Sequence, residues 1–181
     1  MASKIALIAL VLVLAAVNWS IAGKERHLAQ GKIVYLELAP VDPRSLMQGD
    51  YMALRFAVAD EVRTALSTAA LIRGPNAEAT DGYAVVGVDK RGVASFKRID
   101  ANQPLSAGEI RMRFRVRDGV KFATNAFFFQ EGHAQRYESA RYGQFRVDDA
   151  GELLLVAMYD KNLNKLGPDA EPLLRSNTGE L

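Results

Sequence analysis

Two carboxylates and an arginine within one short stretch, Glu131, Glu138 and Arg141 of "EGHAQRYESARYG", come closest in this chain to a catalytic set. A glycoside hydrolase needs an acid and a base or nucleophile several Å apart, and this trio has the right residue types. The same residues on a helix suit a commoner arrangement. Glu131 then sits at the helix start, and Glu138 and Arg141 form an i,i+3 ion pair that locks the helix to a sheet. That structural role is the expectation. His133 beside Glu131 offers two metal ligands, but zinc takes three or four and no third is evident. The chain has no cysteine and only one other histidine, His27, so thiolate and His-rich metal sites are excluded and no cofactor is expected.

A second constellation is "RMRFRVR". Arg111, Arg113, Arg115 and Arg117 stand at alternate positions, so on a strand they share one face while Ile110, Met112, Phe114 and Val116 share the other. A solvated, charged sheet face is the bland reading. Four arginines with no acid between them on that face also suit an anionic surface, such as lipid phosphate, anionic polysaccharide or an acidic partner. No aromatic platform accompanies them, and 23 basic against 21 acidic residues is too balanced for a nucleic-acid binder. A third constellation is "VDPRSLMQGDY". Pro43 fixes a corner, Gly49 permits a tight turn, and Asp42, Arg44 and Asp50 stand ready to satisfy buried backbone or to line a polar pocket beside Tyr51. This segment is expected to meet the later one in the fold, where Asp42, Arg44 and Asp50 share a mainly structural polar cluster with Glu131, Glu138 and Arg141.

The elements that must position these residues have a dominant period of two. "KIVYLEL" (32–38) reads as a strand with Val34, Leu36 and Leu38 on one face, and "YMALRFAV" (51–58) as another with Met52, Leu54, Phe56 and Val58 inward. Residues 60–72 read as a helix with Asp60 as N-cap. Hairpins follow at residues 82–99 and 109–122, with turns at 89–92 and 118–119. "NAFFFQ" is expected as a short buried strand, residues 131–143 as a helix closed by Gly143, and residues 144–160 as a last hairpin turning at 148–151. The fold class is therefore mostly β (α+β), an antiparallel domain with one or two helices over residues 31–160. A loose tail is expected over 161–181.

The amino terminus places this domain. After Lys4 come thirteen apolar residues (5–17), then Trp19 at an interfacial position and the charged "GKERH" beyond. Ser20-Ile21-Ala22 would also suit cleavage before Gly23. The preferred reading is an uncleaved anchor over residues 1–23, a linker over 24–30, and an exported domain outside the cytoplasmic membrane.

"GDYMALRF" (49–56), with its "DPRSLMQ" lead-in, resembles the signature of the GDYXXLXY family of membrane-anchored bacterial proteins, with Phe56 at the last tyrosine position. "FFFQEGHAQRYESARYGQFRVDDAGELLLVAM" is similar to that family's second half. The resemblance implies a single-pass envelope protein, often encoded beside multi-pass membrane proteins, and carries no established activity. A partial similarity to type I signal peptidases rests on "LMQGD", on Lys97-Arg98 and on "PLSAGEI". Val41 stands where the serine nucleophile belongs. That likeness leaves only a Ser45–Lys97 dyad, which needs hydrogen-bond contact in a desolvated site. The expected function is a non-catalytic accessory or binding module for a multi-pass membrane partner, with a hydrolase as the alternative.

Overall fold

The computed structural model describes residues 2–39, 47–48, 51–69, 80–117 and 119–167. Helix α1 (Ala2–Gln30) is apolar on every side from Ile5 to Val17, and Ile5, Leu10, Leu14, Trp19 and Ile21 are all exposed. Such a helix suits an apolar surrounding. It is long and apolar enough to cross a membrane. It continues unbroken through residues 24–30, the stretch expected as a linker, and meets β1 (Lys32–Glu37) across Gly31.

The rest is the mostly-β, α+β domain that the sequence suggests. β9 (Tyr142–Val147) is flanked by β1 and β10 (Leu153–Tyr159). A second sheet has the order β5 (Ala94–Ile99), β4 (Thr80–Val88), β6 (Glu109–Val116), β7 (Val120–Lys121). A third joins β2 (Met47–Gln48), β3 (Tyr51–Ala53) and β8 (Ala126–Phe128). All these strand pairs are antiparallel. The two larger sheets touch at both sides: Tyr35 N donates to Gly92 O at 2.9 Å, and Arg113 N to Gly151 O at 2.8 Å. Between them lies one core, with Val34, Leu36, Met112, Phe114, Phe145 and Met158 almost wholly buried.

Helix α2 (Ala57–Thr68) closes this core with Val58, Val62 and Leu66, spaced four apart on one face. It starts earlier than the sequence suggests. Asp60 therefore lies within the first turn, where its carboxylate accepts from Arg63 at 2.9 Å and Arg55 at 3.3 Å, and the N-cap position falls to Phe56. The expected strand 51–58 is a strand only over Tyr51–Ala53, although Met52, Leu54, Phe56 and Val58 are all buried as its alternation implies.

Three turns share one device. Asp89, Asp148 and Asp160 each accept two backbone N–H groups through Oδ1, from the residues two and four positions on. In each, the residue three positions on has positive φ: Gly92 (83°), Gly151 (80°) and Leu163 (61°). The third turn folds residues 161–167 back on β10, where Leu166 N donates to Met158 O at 2.8 Å. This part of the expected loose tail is therefore packed. Residues 168–181 lie outside the described residues.

Candidate functional site

The two signature segments meet. β3 pairs with β8 in the register Tyr51–Phe128, Met52–Phe127, Ala53–Ala126, and Leu54 N donates to Asn125 O at 2.7 Å. Tyr51 and Phe128 bring their rings to 5.7 Å, and Phe128 is 74% exposed, so the expected buried strand has one outward face. Phe127 and Phe129 pack instead on Tyr137, at 5.1 and 5.2 Å. Further along, Ala39 N donates to Arg55 O, Leu38 N donates to Arg141 O, and Leu38 bridges Phe56. The Phe56 ring meets Phe145 edge-on at 5.3 Å. A Cβ at Gly143 would stand 3.2 Å from both rings and from Leu155. The glycine of the second segment thus makes room for the final aromatic of the first.

That packing corrects the helix expected over 131–143. Only a 3₁₀ turn, Ala134–Tyr137, forms, and Gly143 lies inside β9. Tyr137 holds this turn to the core, while Glu131, Glu138 and Arg141 point to solvent. Their side chains form no ion pair among the described residues, so the i,i+3 pair is not made. Asp42, Arg44, Ser45 and Asp50 lie outside the described residues. Lys97 is the extra residue of a bulge in β5, since Val85 pairs with Arg98 and Val86 with Phe96. Its stem crosses Gly87 and it is exposed, unlike the desolvated base that a dyad needs. Among the described residues no three His, Asp or Glu side chains gather as a metal site around His133 or elsewhere.

The arginine stripe faces away from the core as its alternation implies, and acids from distant segments reach it. Arg111 pairs with Asp100 at 2.6 Å and lies 5.9 Å from the centre of the Tyr83 ring. Arg113 bonds Asp81 at 2.8 Å and also Glu152. Arg117 reaches Asp81 at 3.4 Å. The hydrogen bond from Arg113 holds the Asp81 carboxyl below the ordinary aspartate range, against a desolvation that pushes it up, and Arg117 and Arg115 add to the lowering. Glu152 and Asp81 in turn push Arg113 upwards. Beside the stripe, Arg98 bonds Glu109 at 2.7 Å and lowers its carboxyl. Arg115 is exposed, stands opposite Lys121 in register, and has no ion-pair partner among the described residues. A cavity of about 390 Å³ opens nearby, with Arg55, Asp60, Arg63, Lys121 and Asn125 on its rim.

Sequence reasoning missed the junction between α1 and the domain. His27, 8% exposed, directs Nε2 at Arg146 O at 2.9 Å, which as a carbonyl contact makes Nε2 the donor, and Nδ1 lies 3.6 Å from Asp148 Oδ2. Arg146 Nη1 donates to Gly31 O at 3.0 Å and Gly31 N to His27 O at 2.9 Å. A Cβ at Gly31 would come within 2.7 Å of His27 O and 2.9 Å of Arg146 Cβ. The signal was the histidine four residues before a glycine at the end of an apolar run. In sequence terms it reads only as part of a charged stop.

The apolar helix, the paired signature strands and the closing hairpin all fall within one recognised pattern. No curated protein and no solved structure matches the chain. The family model described as GDYXXLXY protein matches residues 13–158, which takes in most of α1 and all three sheets; the chain belongs to the GDYXXLXY family.

Proposed function

We propose that the chain is a non-catalytic accessory module, held by residues 1–23 in the cytoplasmic membrane with its domain of residues 31–160 on the periplasmic side, and serving a multi-pass membrane partner. The observation that carries this reading is the join. An all-round apolar helix ends in a buried histidine bonded to β9, so a partner that grips the helix in the bilayer also fixes the domain above it. The packing roles of Phe56 and Gly143 support a structural use of the signature segments. On this reading Arg115 and Lys121, without an ion-pair partner among the described residues, offer positive charge to an anionic lipid, a polysaccharide or an acidic partner face. On the same reading Asp42, Arg44, Asp50, Glu131, Glu138 and Arg141 serve a structural role rather than a catalytic one.

The test is photo-crosslinking from Leu10 and Val13 in native membranes. Adducts to one integral membrane protein support the reading, and adducts to lipid alone count against the partner. Ser45→Ala and Lys97→Ala separate it from the hydrolase alternative, because an accessory module retains its function in both variants.

A further inference from the structure

Where α1 meets the domain, a cleft of about 350 Å³ opens between the helix end and the β9–β10 turn. Gly23, Arg26, His27 and Lys32 line it from the anchor side, and Asp148 and Asp149 from the turn. Among the described residues the side chains of Arg26, Lys32 and Asp149 have no hydrogen-bond or ion-pair partner, and all three are exposed. Asp148 commits Oδ1 to two backbone N–H groups, and its Oδ2 lies near His27 without a hydrogen bond. The cleft therefore presents free cations on one side and carboxylate oxygens on the other.

Its depth follows from helix geometry. Lys4 and Lys24 bracket the apolar run, and their separation corresponds to about 30 Å of helix, the thickness of a hydrocarbon core. The headgroup layer adds roughly 5–7 Å on each side. Arg26 and His27 lie about 3–5 Å beyond Lys24 along the helix, within that layer. With α1 across a bilayer, the cleft opens among lipid headgroups rather than into bulk water.

We propose that this cleft binds the zwitterionic headgroup of an aminophospholipid, its phosphate on Arg26 and Lys32 and its primary ammonium on Asp149 and Asp148 Oδ2. A simple anion would leave Asp149 facing it unpaired. A quaternary ammonium has no N–H to donate to either carboxylate, whereas a primary ammonium has three. The inference rests on the membrane-spanning reading of α1 and adds to it the class of lipid at the junction.

The test uses the full chain in nanodiscs made from equal parts phosphatidylethanolamine, phosphatidylcholine and phosphatidylglycerol, with native mass spectrometry of the lipids retained. Phosphatidylethanolamine is expected to be enriched about tenfold over phosphatidylcholine, the ratio that about 1.4 kcal/mol of charge-assisted bonding gives. Asp149→Asn should abolish that preference, and Arg26→Gln with Lys32→Gln should lower retention of all three lipids. Lys161→Gln, exposed beyond the end of β10 that lies away from the helix, should change nothing. Equal retention of the three lipids, or preference for phosphatidylglycerol, overturns the proposal while leaving the membrane reading intact. Failure of the full chain to enter the nanodiscs overturns the membrane reading, and this inference with it.

Discussion

Phe56 and Gly143 show how a single contact can explain two motifs at once. The ring needs the space that a glycine leaves, and the two residues come from segments that are far apart in sequence and adjacent in space. Phe56→Ala should cost about 3–5 kcal/mol by leaving a cavity. Gly143→Ala should cost about 1–3 kcal/mol by crowding the same rings. The double variant should lose less than the sum. Urea unfolding of the full chain in detergent measures all three, and a neutral Gly143→Ala would contradict the contact. Charge offers a second test at this scale. Asp81, Glu109 and Asp160 all have carboxyls held below their ordinary range, chiefly by hydrogen bonds from Arg113, Arg98 and the Asn164 backbone respectively. Over the interval between folded and unfolded values the unfolded chain binds more protons, so stability rises with pH there. Their contribution should be complete at neutral pH and be lost as pH falls below about 4. Arg113→Gln should shrink that acid-sensitive part, seen as a smaller difference between urea midpoints at neutral and acid pH.

Among the elements, those closed by local chemistry were the legible ones. Aspartate followed by glycine three positions on marks the turns at 89–92 and 148–151, and both hairpins form there. The turn at Asp160 uses the same hydrogen bonds with Leu163 at positive φ, where glycine would be the local signal, so the fold-back of 161–167 was hidden. Val58 belongs to two patterns, ending an alternating run and starting the i,i+4 series Val58, Val62, Leu66. Periodicity alone therefore blurred the start of α2. Gly143 read as a helix end because its reason, Phe56, is remote in sequence. The acids facing the arginine stripe were hidden likewise, since Asp81, Asp100 and Glu152 arrive from other strands and turns. The junction of α1 and β9 carries its own prediction. His27→Ala removes the hydrogen bond to Arg146 O and should cost about 1 kcal/mol. Hydrogen exchange should then quicken over residues 27–32 and 146–152, while β4 and β6 stay protected. Uniform exchange across both regions would mean that the histidine does not hold the helix to the domain.

At the scale of the whole molecule, an apolar helix and a β domain are joined without a flexible link. The histidine, Gly31 and Arg146 bind the helix end to the strand that pairs with both β1 and β10. On the proposed function, a helix joined in this way would hold the domain at a set height and orientation above the bilayer, as an accessory to a membrane protein requires. Composition and the apolar run made the long apolar helix legible, while the join depends on contacts such as His27 to Arg146, which are 119 residues apart. The central claim, that α1 is kept and lies in the membrane, is tested most directly by alkaline extraction of membranes from cells expressing the full chain, followed by intact mass measurement. The expected result is a 19.8 kDa chain that stays with the membrane pellet. A chain beginning at Gly23 and recovered in the soluble fraction would contradict it.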